Sequence, residues 1–405
     1  MISIKKYAVG CVLGLSALAL LSSCNNDLEQ IAGPGPVIPT GLTIAETLNT
    51  TPTDSLFNKI VKKNAALVTL LTSKTNSFTL FVPDNAAMIA SLGGTLAAAN
   101  NAITNMSATT AAGIVNYNLV PQKLPTTGIV HPFPNMQVPT SIILDPTNSF
   151  VRMTSFPSRN PANGSYYYNT APLVATDLVV ANGLIHHTAF LVTPPSLVLA
   201  QIIYADPTLT YFTAAIARGD SGQTGLNKFD SLLKYPVVNM TVLTPNDAAM
   251  KALLDTTIRR ALIAQGVPPA TAAAQATALS STTGVFTNPL LYGALTATVV
   301  RGILAYHFLS SGKVPVTPDI RVFTVNVPPT PIFIKTLVNG SVSIHPGVMA
   351  SATYAGPIVT AMTFAGLGTN PTGGTPFSQP ANAIVRDRLA INGITHTLDK
   401  VLLPQ

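Results

Sequence analysis

The sequence predicts two tandem copies of one domain, each mixing helices with short strands. Three observations carry this. Three motifs recur in the same order in the two halves of the chain. Apolar residues follow helical spacing in some segments and alternate in others. Hydrophobic residues reach 47%, yet 33 prolines and 27 glycines break them into short runs. The 405 residues leave room for two or three domains at ~100–200 residues each. Mean hydropathy is +0.40, but a spanning helix needs about 20 consecutive apolar residues. No stretch beyond the N-terminal leader supplies them.

That leader covers residues 1–24. Lys5-Lys6 precedes an apolar run from Ala8 to Leu21, and small residues precede Cys24. Leu21-Ser22-Ser23-Cys24 resembles a bacterial lipobox, in which Cys24 is lipidated and becomes the new N-terminus. The alternative is an ordinary cleaved signal that happens to contain a cysteine. The other cysteine, Cys11, sits inside the leader, so an exported mature chain has no disulfide and its domains rely on packing. Residues 25–39 read as a flexible polar tether carrying Gly33-Pro34-Gly35-Pro36. Asp27 and Glu29 so close to the lipid cysteine resemble surface-export signals of some Gram-negative lipoproteins. The expected location is the cell envelope, lipid-anchored in the outer membrane and surface-exposed.

The repeat organises the rest. Thr79–Met88 (TLFVPDNAAM) returns as Thr241–Met250 (TVLTPNDAAM), with five identities in ten. Tyr117-Asn118 pairs with Tyr306-His307. Asn182-Gly183-Leu-Ile-His186 returns as Asn392-Gly393-Ile-Thr-His396, each running on to a proline. Spacing locates the differences: the second copy is 27 residues longer before its tyrosine and 21 longer after it. Insertions are therefore expected near 255–287, which is Ala/Thr-rich, and near 347–379, which is Gly/Pro-rich. The copies span residues 40–195 and 196–405.

Each block has a local reading. Leu56, Phe57, Ile60, Val61, Ala65, Val68 and Leu71 share a helical face, with Asp54 placed to cap it. Phe78, Leu80 and Val82 alternate as a strand that Pro83 ends. Asp84 or Asn85 then accepts N–H bonds from the next helix. In the second copy Met240, Val242 and Thr244 form the strand, Pro245 ends it, and Asn246 or Asp247 caps. Leu295, Val299, Ile303 and Tyr306 share a helical face, and Ser310-Ser311-Gly312 supplies the stop. Asn182-Gly183 and Asn392-Gly393, each between apolar runs, signal hairpins. His186 and His396 then occupy equivalent places on the returning strands.

These motifs resemble the fasciclin-type domain family. The resemblance rests on the apolar strand running into Thr-x-x-x-Pro-Asn/Asp, the Tyr-His pair at a helix end, and Asn-Gly-x-x-His followed by apolar residues and Pro. It implies an α+β fold, two tandem fasciclin-like domains, each a twisted β-sheet wedge with packed helices. It also implies adhesion through non-covalent contacts with matrix proteins, glycans or like domains. The first copy departs from the pattern, with Asn118 where the pair has His and His187 where the second copy has Thr397.

Composition narrows the function. The 22 basic and 15 acidic residues give +7, but the basic residues are dispersed, the tightest groups being Lys62-Lys63, Arg259-Arg260 and Arg386-Arg388. A nucleic-acid protein needs a dense basic stripe to neutralise phosphates, so no nucleic-acid partner is expected. Thirteen Asp stand against two Glu, and Trp is absent. Both facts count against a two-carboxylate glycosidase with a sugar-stacking platform. No Gly-x-Ser-x-Gly elbow, His-Glu-x-x-His or phosphate-cradling glycine loop occurs, so no enzyme and no cofactor is expected. His186-His187 alternate faces on a strand, and His131, His307, His345 and His396 lack ligand spacing, so no metal site is expected.

Binding candidates are Tyr306 and His307, which present an aromatic and a hydrogen-bonding ring if exposed and tie helix to sheet if buried. The run Tyr166-Tyr167-Tyr168 after Asn163-Gly164 either stacks on a sugar or partner, or splits between core and sheet edge. Pro83, Asn182, Gly183, His186, Pro245, Asn392, Gly393 and His396 read as structural. The expectation is a lipid-anchored envelope adhesion or ligand-binding protein, its extracellular protein or glycan ligand unnamed. The alternatives are a glycan-binding or glycan-processing accessory and a structural spacer.

Overall fold

Short apolar runs separated by capping residues become short elements. The computed structural model describes residues 39–405 apart from 131, 161, 341–343 and 369–374. The leader, Cys24, all of the tether before Pro39, and His131 lie outside the described residues. Gly41–Gln405 is one compact unit.

The first repeat opens with α1 (Ile44–Thr50), α2 (Ser55–Val61) and α3 (Ala65–Thr72). Thr43 and Glu46 cap α1 reciprocally. The expected single face from Leu56 to Leu71 is split between α2 and α3. Asn64 breaks it by accepting from the N–H groups of Ala66 and Leu67 at 3.0 and 3.3 Å. Asp54 makes no cap hydrogen bond; its carboxylate is taken by His187, as described below. Next come β1 (Phe78–Pro83), α4 (Asn85–Ser91), α5 (Leu96–Asn105), α6 (Ala108–Tyr117) and β2 (Leu119–Val120). Asp84 caps α4 through the Ala87 N–H, whereas Asn85 turns back to accept from the Leu56 N–H. The repeat ends with β3 (Val138–Asp145), β4 (Asn148–Ser155), β5 (Pro157–Arg159), β6 (Tyr166–Tyr168), β7 (Ala171–Val180) and β8 (Gly183–Thr188).

The second repeat follows the same plan: α7 (Leu199–Tyr204), α8 (Thr210–Gly219), α9 (Phe229–Lys234), β9 (Met240–Pro245), α10 (Asp247–Ala264), α11 (Pro269–Ser280) and α12 (Ala297–Tyr306). Then come β10 (Leu309–Ser310), β11 (Ile332–Thr336), β12 (Val348–Ala355), β13 (Ile358–Ala365), β14 (Ala381–Ala390) and β15 (Gly393–Leu398). Asn246 caps α10, while Asp247 accepts from the Tyr211 N–H. Gly312 takes φ +77° but does not stop α12, which ends before β10. The buried face of α12 is Val300, Leu304 and Tyr306, and Val299 is half-exposed at its margin.

The sheets repeat too. The first runs β2-β1-β8-β7-β6-β5 and the second β10-β11-β12-β13-β14-β15-β9. In both, the strand from the first motif lies parallel to the strand from the last, β1 to β8 and β9 to β15. Those first-motif strands are buried on both faces. Helices cover one face through Leu80, Val82 and Met88 in the first repeat and Met240, Val242 and Met250 in the second. Separate apolar clusters around Phe81 and Leu243 fill the other face. Burial on both faces explains why these strands read as nearly continuous apolar runs.

The long spacings in the second repeat are regular structure. The stretch near 255–287 lengthens α10 and adds the body of α11, burying Ile258, Ala272, Ala276 and Phe286 in the core. Most described residues of 347–379 form the β12–β13 hairpin. Neither region is a separate appendage.

Candidate functional site

The last motif forms the same clasp twice. In each hairpin a bulge puts an aspartate at positive φ, Asp177 at 60° and Asp387 at 55°. The Asp177 N–H donates to Nδ1 of His186 at 3.1 Å, and Nε2 of His186 donates to the Leu124 carbonyl at 2.9 Å. The Asp387 N–H, His396 and the Val322 carbonyl repeat this at 3.2 and 2.9 Å. The aspartate side chains accept from the backbone and hydroxyl of Thr126 and Thr324. The threonine of the first motif completes the clasp. Thr79 accepts from the Leu124 N–H and donates to Gln122, and Thr241 does the same with Val322 and Ile320. Burial pulls both histidines below the ordinary imidazole range. Each stays neutral with one nitrogen donating and the other accepting.

The Asn-Gly pair is a staple. The hairpin corner falls on Ala181-Asn182, one residue earlier than the Asn-Gly signal implies, because Val180 pairs with Gly183. This frees the Asn182 side chain, which accepts from the Ile44 N–H at 2.8 Å and donates to Leu71 and Ser73 at 2.8 and 2.9 Å. Asn392 accepts from Leu199 and donates to Leu233 and Tyr235. Gly183 adopts φ +154°, and a Cβ there would lie 1.9 Å from the Phe78 carbonyl oxygen. No other residue fits so close an approach.

Tyr306 and His307 are buried, so neither presents a ring to a partner. His307 donates from Nδ1 to the Ile303 carbonyl at 2.8 Å and accepts the Leu402 N–H at Nε2 at 3.1 Å. Burial drives its pKa down to about 4. Tyr306 donates to Gly347 and accepts from Leu367, and burial pushes it up to about 12. Asn118 makes the same two ties by other chemistry. Its amide donates to the Ile114 and Val192 carbonyls, both at 2.8 Å.

The tyrosine triplet divides three ways. Tyr168 stacks on Phe81 at 3.8 Å and donates to the Tyr117 carbonyl inside the first repeat. Tyr166 is half-buried beside Arg159. Tyr167 is fully buried between the repeats and donates to the Pro357 carbonyl at 2.7 Å. With Tyr167 and Tyr168 closed off, the run is no sugar-stacking platform.

Around Tyr167 the repeats lock together. Phe156, Tyr167, Phe323, Val325 and Ile394 form one apolar cluster. Asn135 donates to the Arg321 carbonyl and to Oδ1 of Asn326, and Asn160 to the Val325 carbonyl and the Tyr354 hydroxyl. Arg321 is buried and, among the described residues, has no carboxylate partner. Its guanidinium reaches Asn239 and the carbonyls of Ala390 and Ile391 and lies over Phe156 at 4.5 Å. Burial lowers its pKa to about 10.

The fasciclin domain model matches residues 53–190. That match lies within the first repeat. The second repeat shares with the first the parallel pairing of its first-motif and last-motif strands, the clasp and the staple. Among solved structures the chain is similar to a FAS1 domain pair from the insect cell adhesion molecule fasciclin I. Identity is 13% over 86% of this chain and 96% of that one, with a TM-score of 0.32. No curated protein sequence matches.

Fasciclin domains are in general adhesion-type rather than enzymatic. In this pair the motif side chains are spent on internal hydrogen bonds. His186, His307, His345 and His396 each have both ring nitrogens engaged. His187, on the opposite face from His186, pairs with the fully buried Asp54 at 3.1 Å, which raises the histidine's pKa. Two features have no sequence motif of their own. One is the interface around Tyr167 and Arg321. The other is the β3–β4 ribbon, which exposes Ile143, Leu144 and 92% of Phe150. Apolar runs on both sides of Asp145-Pro146-Thr147-Asn148 are the only signal for it.

Proposed function

We propose that the chain is a lipid-anchored cell-envelope protein that binds an extracellular protein or glycan through non-covalent contacts of its two fasciclin-like domains. The observation that carries this reading is the fasciclin domain itself, an adhesion-type module. The buried interface around Tyr167 supports it: two modules held at a fixed angle present their outer surfaces as one rigid body, at little ordering cost on binding. Cys24 is the proposed acyl-anchor site, on the lipobox resemblance, and the outer membrane surface is the proposed location. Burial of Tyr167 and Tyr168 weakens the sugar-platform alternative. A fixed pair also suits a spacer, so the decisive test is binding.

The chain from residue 25 is applied to arrays of glycans and matrix proteins. Saturable binding, reduced by Phe150→Ser on the first repeat or Leu290→Ser on the second, supports adhesion and assigns the repeat. Uniform absence of binding moves the reading to the spacer. Membrane release after Cys24→Ala tests the anchor separately.

A further inference from the structure

The helical core of the second repeat holds an apolar pocket, and a residue of its wall, Ala215, stands where the first repeat has Ile60. The two repeats can be aligned here by equivalent hydrogen bonds. Asn85 accepts the Leu56 N–H, and Asp247 accepts the Tyr211 N–H. This puts α2 and α8 in register, Phe57 with Phe212 and Ile60 with Ala215. Ile60 is fully buried in its core. Ala215 is three carbons shorter and leaves a gap of about 60 Å³ between α8, α10 and α12.

The lining decides the class of guest. Its only polar side chains are Thr257 and His307. The Thr257 hydroxyl donates to the Leu253 carbonyl at 2.8 Å, and both nitrogens of His307 are engaged. No side-chain donor is left to face a guest, and the Thr257 oxygen is the one side-chain acceptor that remains. One water needs only ~10–15 Å³ but also two to four polar partners, so the gap is large enough for water and unsuited to it. Met250, an adaptable thioether, and half-exposed Val299 are among the lining side chains. No charged residue lines the pocket, so a polar head group has no partner inside.

We propose that this pocket binds the end of an aliphatic chain. The test uses the chain from residue 25 with ¹³C-labelled methyl groups, titrated with n-hexane and, separately, with decanoate below its micelle concentration. Saturable shifts of the Met250 and Leu304 methyls are expected, with no comparable shift at Met88, the equivalent of Met250 in the first repeat. Ala215→Ile, which installs the first repeat's residue, should weaken binding at least tenfold, and Ala215→Val by less. The valine variant keeps the test open if isoleucine disturbs folding. Shifts with both ligands identify the tail of an amphiphile as the guest. Shifts with hexane alone identify a free hydrocarbon. Equal shifts at Met88, binding unchanged in both variants, or no saturable shift with either ligand would overturn the proposal.

Discussion

Replacing Asn182 tests how the hairpin is tied to the helices. Its amide accepts one buried N–H, from Ile44, and donates to two carbonyls, of Leu71 and Ser73, all within 2.9 Å. A typical hydrogen bond contributes about 1 kcal/mol net, and a buried group left unpaired costs about 1–3 kcal/mol. Asn182→Ala removes three bonds and strands three backbone groups, so a loss of about 3–5 kcal/mol is expected. That is a large share of the ~5–15 kcal/mol that stabilises a folded protein. In a unit of this size it lowers Tm by roughly 4–7 °C. Asn182→Asp sharpens the reasoning, because it keeps the acceptor and turns the two donors into an oxygen facing two carbonyls. Burial and those carbonyls raise the folded pKa of the new carboxyl above its unfolded value of about 4. Its relative stability is then best below pH 4 and is lost as pH rises through the folded pKa. Denaturant melts of wild type and both variants, run from pH 4 to 8, measure this. A loss under 1 kcal/mol in Asn182→Ala, or an Asp variant with the wild-type pH profile, would refute the staple.

Two further expectations concern the other ties. His307 is buried with a pKa of about 4 against an ordinary 6.5. The unfolded chain therefore takes up the proton first, and about 3 kcal/mol of stability is lost as pH falls from 6.5 through 4. His307→Asn, the first repeat's solution, should flatten that slope in pH-dependent melts, and an unchanged slope would assign the acid sensitivity elsewhere. At the interface, Tyr167→Phe combined with Asn160→Ala removes the bonds to Pro357, Val325 and Tyr354. Calorimetry should resolve a single unfolding transition into two, and a variant that still melts in one step would show that the apolar cluster alone couples the repeats.

Much of this molecule was legible because local chemistry and fold agree. The strands Phe78–Pro83 and Met240–Pro245 announce themselves by apolar runs ended by proline, and Asp84 and Asn246 cap the helices that follow, as their side chains favour. The duplication, read from three motifs, fixed which strands and helices correspond. The Asn-Gly signal located both hairpins but misplaced their corner by one residue. A turn's register depends on which side chain has somewhere to go, and Asn182 has three buried partners supplied by α1 and by α3 and the residue after it. Asp54 failed as a cap for the same reason: His187, 133 residues away, offered a stronger partner.

What the sequence determined by itself was the repeat, the order of elements, the capping and turn chemistry and the weakly charged, mixed α and β character. All of these depend on neighbours within a few residues. Which side of each tyrosine meets water, where Arg321 finds its carbonyls, and whether Ala215 leaves a gap were decided only by the tertiary structure. Tyr166, Tyr167 and Tyr168 are chemically identical yet end half-buried beside an arginine, between the repeats and in the core. Their environments are built by segments up to about 190 residues distant, and no local pattern encodes which surface will arrive there.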